Sequence, residues 1–523
     1  MEISVLNLTD AISRNSLVTT ASLAPIPAPV SPETVGSPAA IVTINPVIEP
    51  PLVYNEPQVV ATYLRENTQA GPAAQATNQA LISSLSQIKN GKAPVVVSSL
   101  FSQVAALSRE TSEYRNEARE FRVPPKVEVE KFTPDFTVAK GRRIESVFLT
   151  VRTREGDNIS IQFGRNANRD GTSVMTFSFG VNGELSEAEQ KALAAMMEKL
   201  GAMGDEFFRA DTTELRGLKE INTEFIAGFN FTLQRFDPAT DTYVEHSYEF
   251  SVDEVAQTQT LRAKDVKGYS LDITTQLQSL AGTPNLEHNV LQQYLDLIAQ
   301  AGDESKAPNV SKRFMMDAFN SIFGGFLQPV VETEYVVETE PAAVDAAQKA
   351  IAAFDSGMPD FTANFRSPVY HNPGFYSQVA AMTLTLEQQT RQEQTGENLL
   401  IKQDTRYDLS YSKFEAIPNN SLDMLGANYT YVSVHETAET SRMLSMTGDR
   451  VNNLWVEQQA NKETERQQFE NFKLIEREAY EYGDRRLQEY AELLEKLNLN
   501  NQHRGVDELL IASKEKLFLS LNF

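Results

Sequence analysis

The amino-acid sequence predicts an α+β fold with one or two antiparallel sheet units and packed helices, a helical N-terminal region and a long C-terminal helix. Two patterns predict this class. Apolar residues alternate with polar ones in runs between residues 135 and 275 and between 382 and 411, which is typical of half-buried strands. They recur every three or four positions in residues 57–121 and 458–497, which is the spacing of amphipathic helices.

The chain begins with a proline-rich segment. Nine of the 23 prolines lie between Pro25 and Pro57, interleaved with alanine, valine, serine and threonine. This composition favours extended conformers and offers too little apolar surface for a core. Residues 1–56 are therefore predicted to be a disordered, Pro/Ala-rich arm that serves as a spacer. A partner-binding motif is the alternative.

Residues 57–124 are predicted to be a helical region. The charged stretch Arg109–Arg122 is predicted to be the solvated end of its last helix, and Pro124 with Pro125 marks the boundary. Three apolar sets with helical spacing predict the helices: Val59, Val60, Tyr63 and Leu64; Leu81, Ile82, Leu85 and Ile88; Leu100, Phe101, Val104 and Leu107.

Residues 135–335 are predicted to form an α+β domain. Val147, Leu149 and Val151 alternate with polar residues, a turn follows at residues 154–158, and the alternation resumes at Ile159. A second hairpin is predicted from the alternating Phe229, Phe231 and Leu233, the turn at 237–241 and the run that starts at Tyr243. An antiparallel sheet with one inserted helix accounts for both hairpins.

The most detailed local prediction concerns Val174–Phe208. Ser186 and Glu189 form a capping box that begins a helix. Phe207 and Phe208 close this helix and are predicted to dock on the sheet. Before it, a strand is predicted from Met175, Phe177, Phe179 and Val181; the apolar face of the helix is Leu193, Met196, Met197, Leu200 and Met203.

Helices are predicted again from about residue 285. Phe314–Phe323 is predicted to be a buried helix that Gly324 and Gly325 stop, with a membrane-surface or partner helix as the alternative. Residues 342–450 are predicted to combine a helix, Ala342–Phe354, with antiparallel strands. Residues 390–401 faintly repeat the hairpin at 153–163, and duplication and chance both remain open.

Residues 451–523 are predicted to be a C-terminal helical region built on one long charged helix, Gln458–Leu497. Its spacing does not hold a strict heptad, so packing on its own chain is favoured over a coiled coil. The predicted apolar stripe consists of Phe469, Phe472, Ile475, Ala479, Tyr482, Leu487, Tyr490, Leu494 and Leu497.

Composition excludes several functions. The formal charge of −24 over 523 residues argues against a general nucleic-acid binder and against binding to anionic membranes. The absence of cysteine rules out disulfides, thiolate metal sites and cysteine nucleophiles. No run of 18 apolar residues predicts a transmembrane helix, and the N-terminus does not match a secretory signal. Cytoplasmic residence is the default prediction, and export without a cleaved signal is the alternative.

One loop has the spacing of a calcium-binding EF-hand. Calcium needs hard oxygen ligands, but here the first position offers a hydroxyl and the third no side chain, and a strand is predicted where a helix should precede the loop. A strand–turn–helix motif is therefore predicted instead. The six loop positions concerned are Ser178, Gly180, Asn182, Gly183, Leu185 and Glu189.

No other group of residues predicts a defined chemistry, so no catalytic, cofactor-binding or metal-binding residue and no cofactor is assigned. If residues 331–340 formed a strand, four glutamates would share one face. This pattern favours a solvated edge strand over a cation site. The alternating C-terminus is predicted to pack on the body of the protein rather than to close a membrane barrel. The residues considered are Glu332, Glu334, Glu338 and Glu340; the scattered His246, His288, His371, His435 and His503; and Leu517, Leu519, Leu521 and Phe523.

One segment resembles a known family. The hairpin Thr153–Phe163, followed by Gly183–Ser186 and by the helix that ends in Phe207 and Phe208, resembles an uncharacterised domain found in proteobacterial proteins. The resemblance covers about residues 140–275. It implies a bacterial origin and an α+β fold, and it carries over no functional residues.

The leading functional hypothesis is a bacterial structural or protein-interaction protein without catalytic activity. It rests on the predicted arm and helices, which suit protein partners. An exported or surface- or flagellum-associated protein is the alternative, and a hydrolase with a site assembled from distant residues is the third. Protein partners, no nucleic acid and no membrane span are predicted, while the oligomeric state is left open.

Overall fold

A computed structural model of the chain describes most residues between Val59 and Glu489. The predicted arm, residues 1–56, lies outside the described residues, as do the four glutamates at 332–340, most of the predicted helix at 342–354 and the chain after Glu489. The described ranges are 59–66, 71–89, 97–210, 224–279, 288–324, 354, 356–368, 381–417, 426–448 and 450–489.

The described residues form one antiparallel sheet of fifteen strands. The longest strands lie at the C-terminal end of the sheet: β14 has 21 residues, whereas β8 and β9 in its middle have seven each. Their bounds are β1 Val59–Glu66, β2 Glu113–Val123, β3 Arg142–Thr153, β4 Asn158–Ala167, β5 Ser173–Asn182, β6 Ile226–Asp237, β7 Thr242–Asp253, β8 Thr258–Lys264, β9 Ser270–Gln276, β10 Phe361–Pro368, β11 Ala381–Thr395, β12 Asn398–Glu415, β13 Tyr429–Thr447, β14 Arg450–Glu470 and β15 Lys473–Glu489.

The strand order is simple. From β6 to β15 each strand pairs with the next one in the chain, so this part of the sheet is a meander. On the other side of β6 the order is β3, β4, β5, β2 and β1, so that β1 and β15 are the two edges. Hairpins joined by short turns can produce such an order because neighbouring strands run antiparallel.

Six helices of the described residues pack on one face of this sheet. Phe101 lies 6.2 Å from Phe231 of β6, and Phe319 lies 5.6 Å from Phe361 of β10. The strand registers place Phe231 and Phe361 on the same face of the sheet. The helices are α1 Pro72–Lys89, α2 Val97–Phe101, α3 Val104–Glu110, α4 Glu187–Ala210, α5 His288–Glu304 and α6 Asn309–Phe323.

The strand–turn–helix prediction for Val174–Phe208 is confirmed. β5 is followed by α4. At the start of α4 the Ser186 hydroxyl accepts a hydrogen bond from the Glu189 amide at 3.4 Å, and Glu189 Oε2 accepts one from the Ser186 amide at 2.9 Å. This is the reciprocal bonding of a capping box. Phe207 is fully buried and its ring lies 4.7 Å from the His246 ring on β7, so the end of α4 docks on the sheet as predicted.

The predicted fold class is wrong, because the described residues form one large antiparallel sheet with neither a helical N-terminal region nor a long C-terminal helix. The N-terminal region contains α1, α2 and α3, but β1 and β2 flank them, so that Val59–Leu64 and most of Arg109–Arg122 are strand. The long C-terminal helix is absent: β14 and β15 form a hairpin in its place, pairing over most of their length. A single large antiparallel sheet replaces the separate sheet units with helical ends.

Several local predictions are confirmed. The hairpins at 153–163 and 390–401 are both present, as β3–β4 and β11–β12. Their origin by duplication stays a prediction. The buried helix Phe314–Phe323 is confirmed within α6. The division into domains at residues 124, 335, 342 and 450 also stays a prediction, although the sheet runs across all four positions. None of the described helices is long and apolar enough to cross a membrane.

Candidate interaction surface

The hairpin of β14 and β15, here called the C-terminal hairpin, is held by a two-residue turn. Glu470 pairs with Lys473, and Asn471 and Phe472 between them have φ of 49° and 62°. Two consecutive positive φ values are the requirement of the tight turn whose twist matches that of antiparallel strands. The Asn471 amide donates to Asn428 Oδ1 at 3.0 Å, so the turn is tied to the loop before β13.

The helix-side face of the sheet loses its cover toward this hairpin. Along one row of paired positions, Leu409 and Glu436 are fully buried, whereas Tyr482 at the end of the row is 57% exposed. Helix α5 reaches only as far as Lys462, whose Nζ lies 3.4 Å from a carboxylate oxygen of Glu304. No described helix covers the β15 positions beyond it.

The uncovered strand carries a concentration of large apolar side chains. Half of the large hydrophobic residues that are exposed among the described residues lie within or next to β15. Exposed apolar side chains scattered singly are normal on a soluble protein, whereas neighbours on one face mark an interaction site. Tyr480 and Tyr482 are such neighbours on the helix-side face, while Leu487 lies on the opposite face of β15. The six are Phe472, Leu474, Ile475, Tyr480, Tyr482 and Leu487.

A buried charge lies where the cover ends. Glu436 of β13 is fully buried, and Lys462 Nζ of β14 lies 2.9 Å from its Oε2. Burial raises the pKa of Glu436, and hydrogen bonding to Lys462 opposes this without cancelling it. Lys462 therefore joins β13 and β14 to the end of α5 at the inner boundary of the exposed hairpin.

β15 carries charges of both signs, and some of them pair back to β14. Arg477 Nε lies 2.7 Å from Glu465 Oε1, and Arg485 Nε donates to Glu457 Oε1 at 2.6 Å. Exposed pairs of this kind are screened by water and contribute little to stability. The outer edge of β15 pairs with no strand among the described residues.

The sequence-derived site candidates are not brought together. Ser178, Gly180 and Asn182 of the EF-hand reading belong to β5, so the prediction of a strand–turn–helix in its place is confirmed. His246 is fully buried on β7, and His435 Nε2 of β13 lies 3.2 Å from Asp408 Oδ1 at the surface. His288 begins α5. The remaining candidates, His371, His503, the glutamates at 332–340 and Leu517–Phe523, lie outside the described residues.

The C-terminal hairpin itself is a site that the sequence analysis missed, because its residues were assigned to a helix. Comparison of the chain with protein-family models, with curated proteins and with solved structures finds no match in any of the three. The resemblance of residues 140–275 to a proteobacterial domain stays a prediction.

Proposed function

We propose that the chain is a protein-interaction protein without catalytic activity and that the C-terminal hairpin is the element that binds its partner. The observation that carries the proposal is the exposure of Tyr480 and Tyr482, at 55% and 57%, on the face that the helices cover elsewhere. Rows of side chains that are buried through β12 and β13 end on these two tyrosines, over which no helix of the described residues packs.

The chemistry of the hairpin indicates the kind of partner. Tyrosine combines a large apolar ring with a hydroxyl, and it is enriched at protein interfaces for that reason. The exposed charged residues of β15 include both acids and bases, which suits a protein surface with mixed charges better than a polyanion. The expected partner is therefore a protein surface that lays apolar side chains on Tyr480 and Tyr482 and meets charged groups around them.

Site-specific photo-crosslinking tests the proposal. We would replace Tyr482 by p-benzoylphenylalanine in the full chain and irradiate the cells that produce it. Tyr243 of β7 is the matched control, because it is an exposed tyrosine on a strand of the same sheet, at 49% exposure. We expect a shifted, protein-sized adduct from position 482 and none from position 243.

Each outcome has a meaning. Adducts with another protein support the proposal and identify the partner by mass spectrometry. An adduct of twice the mass of the chain makes the partner a second copy. Equal labelling at both positions, or labelling within the chain alone, contradicts it.

The other functional hypotheses stay predictions. These are the exported or surface- or flagellum-associated protein, the hydrolase, bacterial origin, and cytoplasmic residence with signal-less export as its alternative. Capture of a surface or flagellar protein as the crosslinked partner would support the first of them.

A further inference from the structure

Three carboxylates that are distant in the chain meet where the β3–β4 turn approaches the N-terminus of α4. Glu155 and Asp157 come from the turn, and Glu189 from the first turn of the helix. One carboxylate oxygen from each lies within 4.8 Å of one from each of the others. Oxygens that bind one calcium ion at 2.3–2.6 Å lie no more than about 5 Å apart, so these three are close enough to share an ion.

Glu189 supplies a buried carboxylate, one oxygen of which lacks a full hydrogen bond among the described residues. The residue is 1% exposed, and its Oε2 accepts hydrogen bonds from the amide and the hydroxyl of Ser186, both at 2.9 Å. Thr153 lies beside the carboxylate and, with Ser186, lowers the pKa of Glu189 against burial, which raises it. Oε1 nevertheless has no partner at hydrogen-bonding geometry among the described residues. A buried carboxylate oxygen without a donor is costly unless a cation binds it.

The turn holds Asp157 against the helix. The Asp157 amide donates to the Thr153 hydroxyl at 3.1 Å, and the Thr153 amide donates to the Asp157 carbonyl at 2.9 Å. Its carboxylate lies against Gly183, where a Cβ would be 1.7 Å from Asp157 Oδ1. Gly183 also has a φ of +128°, which other residues rarely adopt. The approach of this carboxylate to Glu189 is therefore built into the backbone.

We propose that Glu155, Asp157 and Glu189 bind a calcium ion. The donor set consists only of carboxylate oxygens, which calcium accepts in irregular arrangements, whereas magnesium demands a near-ideal octahedron. Glu155 is exposed, so water can complete the coordination shell. This site is not the EF-hand, because it shares only Glu189 with that loop and takes its other ligands from another hairpin.

The ion would join two elements that repel one another without it. The carboxylates of Asp157 and Glu189 are like charges whose oxygens lie within 4.8 Å of each other, so they repel. A divalent cation at their centre removes that repulsion and fastens the β3–β4 turn to α4. Calcium at this position would thus stabilise the helix-bearing part of the sheet independently of the C-terminal hairpin.

Isothermal titration calorimetry on the full chain, stripped with EDTA and titrated with CaCl₂, tests the proposal. We expect one site with a Kd on the order of 10⁻⁴–10⁻³ M, the range of calcium modules with few ligands. Asp157→Asn and Glu189→Gln should each weaken binding at least about tenfold. Glu187→Gln is the matched control, because it removes an exposed carboxylate from the same helix turn and should leave binding unchanged.

The remaining outcomes are equally decisive. No saturable heat from the unaltered chain at calcium concentrations of about 10 mM, well above this range, overturns the proposal. Full binding by Asp157→Asn does so as well, and binding of MgCl₂ as tight as that of CaCl₂ overturns the assignment to calcium. If Glu189→Gln fails to fold by circular dichroism, the turn variants Glu155→Gln and Asp157→Asn decide the matter.

Discussion

Glu436 shows at the scale of one residue how the sheet tolerates a charge in its interior. Its neighbours along the row are Leu409 and Lys462, and among the described residues the half-exposed Lys462 is the cation close to its carboxylate, at 2.9 Å. Lys462 also lies near Glu304, so it would keep a partner if Glu436 lost its charge. Burial outweighs the attraction, and the pKa of Glu436 is raised. The ionised form therefore costs stability in the folded protein.

Replacing Glu436 by glutamine should stabilise the protein at pH 7, by an amount on the order of 1 kcal/mol. A carboxyl whose pKa is higher in the folded state binds its proton more tightly when folded. Its cost is absent below the unfolded pKa, near 4.5, and grows as the pH rises through the folded pKa. The gain from Glu436→Gln should therefore be largest at pH 7 and vanish near pH 4.5, as measured by urea midpoints across this range.

Glu463→Gln is the control for this pH profile, since Glu463 is the exposed neighbour of Lys462 on β14. It should leave the midpoint unchanged at every pH. A loss of stability in Glu436→Gln at pH 7 would mean that the ion pair with Lys462 outweighs burial. A gain that does not depend on pH would exclude titration of Glu436 as its cause.

Helix α4 shows at the scale of one element how a helix is fixed to the sheet. Its N-terminus is held by the capping box, and its C-terminal turn by Phe207, whose ring lies 5.0 Å from Phe208 and 4.7 Å from His246. Phe207 is fully buried, whereas Phe208 is only half-buried. The two adjacent phenylalanines therefore differ in the area that they remove from water.

Phe207→Ala should lower the free energy of unfolding by about 3–5 kcal/mol, the usual cost of emptying a fully buried phenylalanine site. Phe208→Ala has the same chemistry and should cost roughly 1–2 kcal/mol, because part of that ring already contacts water. Urea unfolding followed by far-UV circular dichroism measures both. Equal losses from the two variants would show that α4 does not dock through Phe207.

The same helix shows which elements a sequence can predict. Its start, its apolar face and the strand before it follow from local rules, because the Ser186–Glu189 box and the alternation of β5 need no distant partner. β2 differs. Its glutamates and arginines have high helix propensity, but Arg119 is buried with its guanidinium donating to the Val138 carbonyl at 2.8 Å. Contacts across the fold override propensity there.

The C-terminal hairpin misled the sequence analysis for a related reason. Phe469, Phe472, Ile475 and Ala479 recur at helical spacing, and their neighbours are glutamate, glutamine and arginine, all good helix formers. In the structure the turn at Asn471 and Phe472 interrupts that spacing. This turn lacks the Asn-Gly or Asp-Gly pair that predicts a two-residue hairpin turn from sequence. The candidate interaction surface could therefore not be predicted.

The proposed cation site was hidden by distance in the chain. The sequence places Glu189 in a loop with EF-hand spacing, in which Ser178 and Gly180 are poor calcium ligands. Glu155 and Asp157 enter only because β3, β4 and β5 pair in a register that sets the β3–β4 turn beside the start of α4. The register between strands depends on the packing of the whole face, so it could not be predicted from this sequence alone.

At the scale of the whole molecule, the sheet argues for cooperative unfolding of the described residues. Each strand is hydrogen-bonded to its neighbours from β1 to β15, and most of the buried apolar residues form one connected set from Ala74 of α1 to Ala438 of β13. Val451, Leu454 and Val456 of β14 are also buried but lie outside that set, so the strand ladder is what links β14 to the rest. Trp455 is the single tryptophan of the chain, and it lies on β14. Its fluorescence therefore reports on the C-terminal hairpin, whereas far-UV circular dichroism reports on all strands and helices.

The two signals should give the same urea midpoint, because β14 pairs with β13 along nearly its whole length and cannot separate without breaking that ladder. The Phe207→Ala variant provides a second test. This substitution lies in α4, many strands away from Trp455, and it should lower the urea midpoints from fluorescence and from circular dichroism by the same amount. A tryptophan transition that precedes the circular dichroism transition, or ignores the lesion, would show instead that β14 and β15 unfold as a separate unit. The hairpin would then be an arm that unfolds separately from the rest of the sheet, and its exposed tyrosines would become ordered chiefly by contact with the partner that covers them.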